Sequence, residues 1–304
     1  MVTYKKGIEK MKNISRREFI KSTISTAGAG TLLLTCGKKS LGLDPPGLVQ
    51  LGDTGITVSR IAMGTGTHGT GRSSDQTRLG MEPFVQMAHH AYDSGIIFFD
   101  SADMYGSHTY IREALKDISR DKVVILSKIW AVSRPGAETA SPSQHLERFL
   151  EELGTDYVDI VLLHCMTSPN WPTQLEPYCE YLAQAKEKGM VRAHGISCHN
   201  FGALQVAAES GWVDVLLARI NHAGNRMDDT PEKVVAVLKQ ARARGAGILG
   251  MKIFGEGDLS AEDQRQQSLE FVWNSDTIHA MTIGFMDTGQ MDDAIQRLNA
   301  IVKS

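Results

Sequence analysis

Four residues whose side chains can transfer or polarise a proton lie at or just after the ends of three apolar runs. Asp100 and Tyr105 follow IIFF, Lys128 ends VVILSK, and His164 ends VDIVLLH. A tyrosine can donate a proton, a lysine and a carboxylate can tune its pKa, and a neutral histidine can donate to an oxygen that becomes negative. We therefore predict that these four residues form one proton-transfer site.

Each of the four residues also has a simpler interpretation when it is taken alone. A lysine after a strand is commonly a solvated loop charge, and a histidine that ends an apolar run is commonly a buried structural residue. Four such coincidences on three consecutive runs favour the joint site over the separate interpretations.

The elements that must position this site are eight short apolar runs, each followed by a stretch of helical period. One such helix is predicted from Pro142 with Ser141 as its N-cap, and the last from Gln290. Apolar strands that alternate with helices indicate a parallel sheet covered on its outer face, and the closed eightfold form of that sheet is the α/β fold called the (β/α)8 TIM barrel. The predicted strands are 61–64, 96–100, 123–128, 158–164, 191–197, 213–221, 247–253 and 278–285.

An N-terminal β-hairpin is predicted before the barrel, because LVQLGDTGITVSRI alternates apolar and polar positions around the turn Gly52–Gly55. The alternative fold is an open doubly wound sheet, for which Gly64, Gly66 and Gly69 have the GxGxxG spacing. That fold also needs an acidic residue for a ribose, and Asp100 comes too late in the chain. The barrel is therefore preferred, and in a barrel the carboxyl ends of the strands face one active site.

The N-terminal part of the chain differs from the rest in charge. Its first 36 residues carry seven Lys or Arg and two Glu, whereas the whole chain has a net charge of −3, so the remainder is acidic. An acidic body argues against nucleic acid as a partner. The cysteines that follow, Cys165, Cys179 and Cys198, do not have the spacing of metal ligands, and no metal is expected.

The segment 1–36 resembles a twin-arginine export signal, because Arg16 and Arg17 precede Phe-Ile-Lys and an uncharged stretch. A disordered basic tail or a short amphipathic helix is the alternative, and the apolar stretch is too short to span a membrane. We expect a linker at 37–47, a barrel at 48–304 and a periplasmic or otherwise exported location reached through the twin-arginine machinery. Cys36 after Leu-Leu-Thr resembles a degraded lipoprotein site, so a lipid anchor is a further option.

The chain resembles the aldo-keto reductases in the stretches LGDTGITVSRIAMGTG, FFDSADMYG, LSKIW, GTDYVDIVLLH and VRAHGIS. The resemblance runs from Leu48 to about Leu298 and implies a nicotinamide cofactor across the barrel mouth, with Tyr105 as general acid for carbonyl reduction. A free tyrosine has a pKa of about 10, and we expect Lys128, held by Asp100, to favour the phenolate. No side chain donates hydride, so the chemistry needs the cofactor.

The resemblance also implies residues around the cofactor and the substrate. Ser197 matches the serine that bonds the nicotinamide carboxamide, whereas Cys198 replaces the usual asparagine beside it. Trp130 is expected to wall the substrate pocket, and His199 either borders it or is a plain loop residue. The complete set of expected cofactor contacts is Gly64, Thr65, Asp100, Ser197, Cys198, Arg219, Asn221, Lys252, Gly284 and Gln290.

The adenosine end of the cofactor is the point at which the sequence departs from relatives that select NADP. The stretch 284–293 contains Asp287, Asp292 and Asp293 and no cation. A helix N-terminus can hold a phosphate, but a further dianion beside carboxylates is disfavoured unless a distant Lys or Arg reaches in. NADP(H) and NAD(H) both remain open, and an exported enzyme is expected to hold either one tightly.

These observations predict an exported oxidoreductase that interconverts a small-molecule carbonyl and an alcohol, the substrate being an aldehyde, a ketone or a sugar-like molecule. Two alternatives stay open. One is a sensor or partner protein that keeps the cofactor but turns over slowly. The other is a sugar lyase or isomerase in which hydride returns to the product and no net redox occurs.

Overall fold

The structure, a computed structural model, describes residues 47–131 and 140–303. The predicted signal segment 1–36, Cys36 and all of the predicted linker except Gly47 lie outside the described residues. The export signal and the lipid anchor therefore remain predictions from the sequence.

Ten strands are present in the described part of the chain, and eight of them form a closed parallel barrel. Two short strands precede the barrel, β1 (Leu48–Gln50) and β2 (Thr57–Ser59). The barrel strands are β3 (Ile61–Gly64), β4 (Phe98–Asp100), β5 (Val124–Ile129), β6 (Val158–Met166), β7 (Val191–Cys198), β8 (Val215–Arg219), β9 (Gly247–Met251) and β10 (Ala280–Gly284). They follow in chain order, and β10 pairs with both β9 and β3 to close the ring. The predicted TIM barrel and its eight strands are confirmed.

Helices cover the outside of the barrel, and most of them follow a strand. Their apolar residues pack on the outward-facing strand residues in one continuous hydrophobic cluster. The helices are α1 (Asp75–Arg78), α2 (Met81–Asp93), α3 (His108–Leu115), α4 (Pro142–Leu153), α5 (Trp171–Gln174), α6 (Glu176–Glu187), α7 (Phe201–Glu209), α8 (Pro231–Ala243), α9 (Glu262–Asn274) and α10 (Thr288–Lys303). No helix in the described ranges is long and apolar enough to cross a membrane.

Helix α4 shows how local sequence sets an element boundary. The Ser141 hydroxyl accepts from the Gln144 amide, the Gln144 side chain accepts from the Ser141 amide, and Pro142 occupies the first turn. Orphan amides of the first turn are thereby satisfied. The helix ends at Gly154, whose left-handed φ of 66° is open to glycine at little cost. The predicted start of this helix is confirmed.

The predicted hairpin is also confirmed, and it closes one end of the barrel. Strands β1 and β2 pair in antiparallel register, with Val49 opposite Val58. Leu51, Ile56 and Val58 are fully buried and join the inward-facing residues of the barrel strands, Phe98 among them. Asp53 donates its amide to Gly245, just before β9, so the hairpin covers the amino ends of the strands. The carboxyl ends are left for the site.

Candidate active site

The structure brings the four predicted proton-transfer residues together at the carboxyl end of the barrel. Asp100 ends β4, and Tyr105 ends a short 3-10 turn, Asp103–Tyr105, directly after it. Lys128 lies in β5 and His164 in β6, each near the carboxyl end of its strand. Because β4, β5 and β6 are neighbours in the barrel, the four side chains lie close together at the carboxyl ends of these strands.

Lys128 and Asp100 form a buried ion pair beneath the tyrosine. The lysine ammonium contacts Asp100 Oδ1 and donates to the Ser101 carbonyl at 2.9 Å, and the lysine is only 1% exposed. Burial lowers the pKa of Lys128, and the charge of Asp100 opposes that effect. A carboxylate so close is what allows an ammonium to remain in the interior.

The tyrosine hydroxyl faces the histidine. Tyr105 OH lies 3.4 Å from His164 Nε2, and the Tyr105 ring lies 4.8 Å from the Lys128 ammonium. Trp130 packs edge-on against His164, with 5.4 Å between the ring centroids. A hydroxyl, an imidazole nitrogen and an aromatic wall thus surround one point at the barrel mouth.

The pKa directions define the protonation state of this site. Burial, and then the charge of Asp100, raise the pKa of Tyr105 well above 10. Burial, and then the charge of Lys128, lower the pKa of His164 well below 6.5. At neutral pH the site therefore holds a protonated phenol and a neutral imidazole. The pKa of Tyr105 thus has the opposite direction to the expected one, because burial and the charge of Asp100 both disfavour the phenolate.

The GxGxxG stretch has a role different from a phosphate turn. A Cβ on Gly66 would lie 2.2 Å from the Tyr105 ring, and a Cβ on Gly69 would lie 2.3 Å from it. Neither position has room for a side chain, because the Tyr105 ring packs directly on the glycine backbone. A Cβ on Gly106, the residue after the tyrosine, would lie 2.1 Å from the Arg72 carbonyl. The loop after β3 therefore packs against the ring of Tyr105 and limits where that ring can lie.

A network of ion pairs holds the turn that carries Tyr105. Both carboxylate oxygens of Asp103 accept from Arg148 of α4, each at 2.8 Å. Arg72 bridges Asp103, at 3.5 Å, and Glu152, at 2.6 Å. His108 connects Glu152, at 2.8 Å, to the Ser127 hydroxyl, at 2.7 Å. Burial alone would raise the pKa of both carboxyls. Contacts from His145 and Arg148 instead hold the pKa of Asp103 well below its usual range, and those from His108 and Arg72 lower that of Glu152 to about 2.

This positioning network joins the tyrosine to the lysine. Asp103 lies two residues before Tyr105, and Ser127 lies directly before Lys128. A bidentate guanidinium–carboxylate pair fixes both distance and plane. The network therefore constrains where the hydroxyl stands relative to the ammonium, and it connects α4 to the site.

A cavity of about 630 Å³ is lined by Asp100, Tyr105 and Lys128 and extends toward α9 and α10, whereas His164 is not among its lining residues. Among the predicted cofactor contacts, Gly64, Thr65, Asp100, Lys252, Gly284 and Gln290 line it. Its volume lies in the range of about 300–1,000 Å³ that small-molecule and cofactor sites occupy. Gly284 leaves no room for a side chain at this wall of the cavity, since a Cβ would lie 2.1 Å from the Thr67 hydroxyl.

The other four predicted cofactor contacts do not line this cavity. Cys198 is fully buried in the outer hydrophobic cluster between strands and helices. The Asn221 side chain is fully buried and bonds two loops, donating to the Asn225 carbonyl after β8 at 2.8 Å and to the Lys252 carbonyl after β9 at 3.1 Å. Arg219 pairs with the buried carboxylate of Asp228. Ser197 accepts from the Cys165 amide at 2.8 Å, which fixes the irregular end of β6.

The two predicted substrate contacts, Trp130 and His199, also lie outside that cavity. Trp130 is nevertheless half-buried against His164. His199 is half-buried too, and burial together with the charges of Arg219 and Lys252 lowers its pKa to about 4. It is therefore uncharged at neutral pH.

The far end of the cavity contains a cation that the local sequence does not reveal. Arg265 of α9 lines the cavity and donates to Asp293 Oδ2 at 3.0 Å and to the Ser260 carbonyl. Asp293 also accepts from Arg297 at 2.9 Å. The stretch 284–293 itself holds no cation, and Arg265 is the distant arginine that the sequence left open. That arginine is already paired with a carboxylate.

The other two aspartates of this end have local roles. Asp287 Oδ1 accepts from the Gln290 amide at 2.8 Å at the start of α10. Asp292 Oδ1 lies 2.7 Å from His90 Nε2. These two carboxylates therefore have structural roles, and neither is among the residues that line the cavity.

Several lining residues were missed from the sequence, namely His68, Asp75, Phe254, Glu256, Ser260, Arg265, Thr282 and Met286. One signal was available for the segment 252–257, which contains an unusual concentration of glycine. Lys252 and Glu256 adopt left-handed φ values of 58° and 60°, and their side chains form an ion pair over the cavity. Such backbone is costly for residues other than glycine and tends to occur at functional sites.

The cavity suits a dinucleotide on its own features. It is elongated between the Tyr105 cluster and α10, its walls include bare glycine backbone at Gly64 and Gly284, and the 16-residue helix α10 begins beside it. A helix start offers free amides to a phosphate group. Within the described ranges no three His, Cys, Asp or Glu side chains are arranged to hold a metal ion.

Comparison with known proteins agrees with this geometry. The chain is 26% identical over 199 residues to an NADH-specific methylglyoxal reductase of Escherichia coli, which is 60% of this chain and 61% of that protein. It is 28% identical over 169 residues to a methylglyoxal reductase of Escherichia coli O157:H7, covering 54% of this chain and 60% of that protein. The chain thus spans about three fifths of the length of these curated relatives.

The fold likewise matches a solved structure. The holo form of an aldo-keto reductase from Bacillus halodurans superposes with a TM-score of 0.66 at 18% identity, covering 84% of this chain and 91% of that one. The model of the aldo/keto reductase family matches residues 60–304. The chain therefore belongs to the aldo/keto reductase family.

Proposed function

We propose that this protein reduces a small carbonyl compound to an alcohol with hydride from NADH, and that Tyr105 donates the proton. The observation that carries the proposal is the cluster in which the Tyr105 hydroxyl lies 3.4 Å from His164 Nε2 while its ring lies over the Lys128 ammonium. A carbonyl oxygen placed at this hydroxyl would meet two donors, and an oxygen that gains negative charge is stabilised by such donors.

The chemical roles follow from the protonation states. When bound, the reduced nicotinamide supplies a hydride to the carbonyl carbon. The oxygen takes the proton of Tyr105, and the resulting phenolate faces the Lys128 ammonium until solvent returns a proton. His164, which is neutral, donates to the same oxygen without competing as an acid.

A raised tyrosine pKa is compatible with this role. The alkoxide that forms as hydride arrives is a far stronger base than a phenolate, so proton transfer stays favourable even when burial weakens the acid. The same burial keeps Tyr105 protonated through the neutral range, so the donor form is always present. Asp100 keeps the buried lysine charged and thereby available to the phenolate.

NADH rather than NADPH is our proposed donor. Arg265 lies at the end of the cavity where an adenosine would sit, but its guanidinium already bonds Asp293 and the Ser260 carbonyl. A 2′-phosphate there would have to compete with a carboxylate for that arginine. One of the relatives is named an NADH-specific enzyme, which agrees with this proposal.

The substrate class we propose is small aldehydes and ketones, including 2-oxoaldehydes. Two curated relatives are named methylglyoxal reductases. In this chain the wall beside His164 is the indole of Trp130, which suits a compact planar carbonyl better than a charged one.

The activity can be tested with the purified full chain. NADH oxidation should be followed at 340 nm with methylglyoxal and with a simple aldehyde, and with NADPH in parallel. One alcohol product for each NADH consumed supports the proposal and excludes a lyase or isomerase without net redox. Tight NADH binding without turnover on any carbonyl would instead support a sensor.

Export is a separate part of the proposal and rests on the Arg16-Arg17 segment alone. We propose that the chain folds, binds its cofactor in the cytoplasm and then leaves through the twin-arginine route. Cell fractionation of the full chain tests this directly, with R16K/R17K as the matched variant. Retention of both chains in the cytoplasm would contradict export.

A further inference from the structure

A second cavity lies at the opposite end of the barrel from Tyr105, and basic side chains border it. It measures about 370 Å³ and is lined by Arg60, Arg242 and His279, among others. Arg60 directly precedes β3, Arg242 lies in the last turn of α8 just before β9, and His279 directly precedes β10. All three therefore stand at the amino ends of adjacent strands, far from the proton-transfer site.

The charges of this cavity are poorly balanced. Within residues 47–131 and 140–303 the Arg60 guanidinium forms no ion pair, and it lies 4.9 Å from the centre of the Trp273 ring. Arg242 pairs with Asp276 at 3.3 Å, but that carboxylate is 86% exposed and well solvated. Burial, and then the charge of Arg242, lower the pKa of Arg60. Two guanidiniums thus repel each other across a partly enclosed space.

His279 adds a third donor without adding charge. Its Nδ1 accepts the Ile248 amide proton at 2.9 Å, so the neutral ring carries its own proton on Nε2. Burial, and then the charge of Arg242, lower the pKa of His279, which keeps the ring neutral near pH 7. The ring borders the cavity and can offer Nε2–H to an acceptor there.

The remaining lining is mainly apolar. Its apolar members are Val49, Val272, Ile278, Met281 and the indole of Trp273, and Asn274 and Asp276 complete the lining. A bare inorganic ion would fill only part of a space of this size and would leave the apolar surface wet. An anionic group with a small apolar body would use both kinds of lining.

We propose that this cavity is a binding site for a small organic anion, whose phosphate or carboxylate group sits between Arg60 and Arg242 and whose apolar part packs on Trp273. The site is separate from the cofactor cavity and does not depend on the proposed reductase activity. Charge-assisted bonds from two guanidiniums to one oxyanion are the strong kind, and they would relieve the repulsion between the two cations.

Isothermal titration with phenyl phosphate, benzoate and inorganic phosphate, at constant ionic strength, tests the site on the full chain. Phenyl phosphate is expected to bind more tightly than inorganic phosphate because of the apolar lining. Comparison with benzoate tells a phosphate site from a carboxylate site. R60Q and R242Q should each weaken binding about tenfold, which corresponds to the loss of one charge-assisted bond.

Matched variants separate this site from the cofactor cavity. Arg244 is exposed and lies two residues after Arg242, so R244Q should bind as the wild type does. D276N removes the carboxylate that competes for Arg242 and should tighten binding a few-fold, a gain that misfolding cannot imitate. Absence of binding of all three anions at millimolar concentration, equal affinity in R60Q, or loss of binding in R265Q would overturn the proposal.

Discussion

The ion pair between Asp103 and Arg148 offers a test of how the fold positions Tyr105, the proposed proton donor. D103N keeps the size of the side chain and removes its charge, so the two 2.8 Å bonds to Arg148 lose their ionic character. Fully buried pairs cost about 3–5 kcal/mol when one partner is lost, and exposed pairs about 0–1 kcal/mol. Asp103 is 11% exposed and Arg148 31%, so we expect a loss of about 2 kcal/mol in the free energy of unfolding.

A loss of stability alone would not show a positioning role, and the chain offers a matched control. Asp159 is fully buried and accepts from Arg120 and Arg192, each at 2.6 Å, at the amino end of β6. D159N should therefore destabilise the protein at least as much as D103N. It lies at the end of the barrel away from Tyr105.

The two variants should differ in turnover. Displacement of a reacting group by about 1 Å can cost about 100-fold in rate, so D103N should lower kcat about 10- to 100-fold, whereas D159N should keep the wild-type kcat. The assay is steady-state NADH oxidation at a temperature where circular dichroism shows both variants folded. An unchanged kcat in D103N, or an equal loss in both variants, would refute the positioning argument.

Three further predictions concern pH, cofactor choice and the glycines that pack on the Tyr105 ring. Reduction needs the protonated form of Tyr105, and the pKa of Tyr105 is raised. In a pH–rate profile, kcat for reduction should therefore stay level from neutral pH to about 10 and fall only as the pH rises further. D293N frees Arg265, so the Kd for NADPH divided by the Kd for NADH should fall about tenfold, as measured by fluorescence titration. An unchanged ratio would contradict the role given to the pair of Arg265 and Asp293. G66A pushes a methyl into the tyrosine ring and should reduce kcat at least tenfold, while G211A, which meets nothing within 4 Å, should be silent in the same assay.

The fold was predictable because its signal is repeated eight times along the chain. Apolar strands such as 158–164 alternate with helices, and no local alternative explains eight such repeats. The strand ends were less certain: the eighth run, 278–285, gave the strand Ala280–Gly284, since burial of both faces does not mark where pairing stops. The residue types at the strand ends then placed Asp100, Lys128 and His164.

The remainder of the site depends on contacts between distant elements, and these leave no local pattern. Arg265 reaches the cavity from α9, and the sequence beside α10 gives no hint of it. Cys198 ends β7 and Asn221 follows β8, yet the Cys198 side chain packs in the outer core and the Asn221 side chain bonds the loops after β8 and β9. The tyrosine pKa has the opposite direction to the prediction because burial depends on the whole environment.

Proton donation by Tyr105 is tested most sharply by the rate of hydride transfer in Y105F. The variant removes only the hydroxyl that faces His164, and the ring still fills the space against Gly66 and Gly69. In single-turnover experiments with bound NADH and methylglyoxal, we expect a rate lower by about 10²–10⁴-fold with the Kd for NADH unchanged. A wild-type rate in Y105F would show that Tyr105 is not the proton donor.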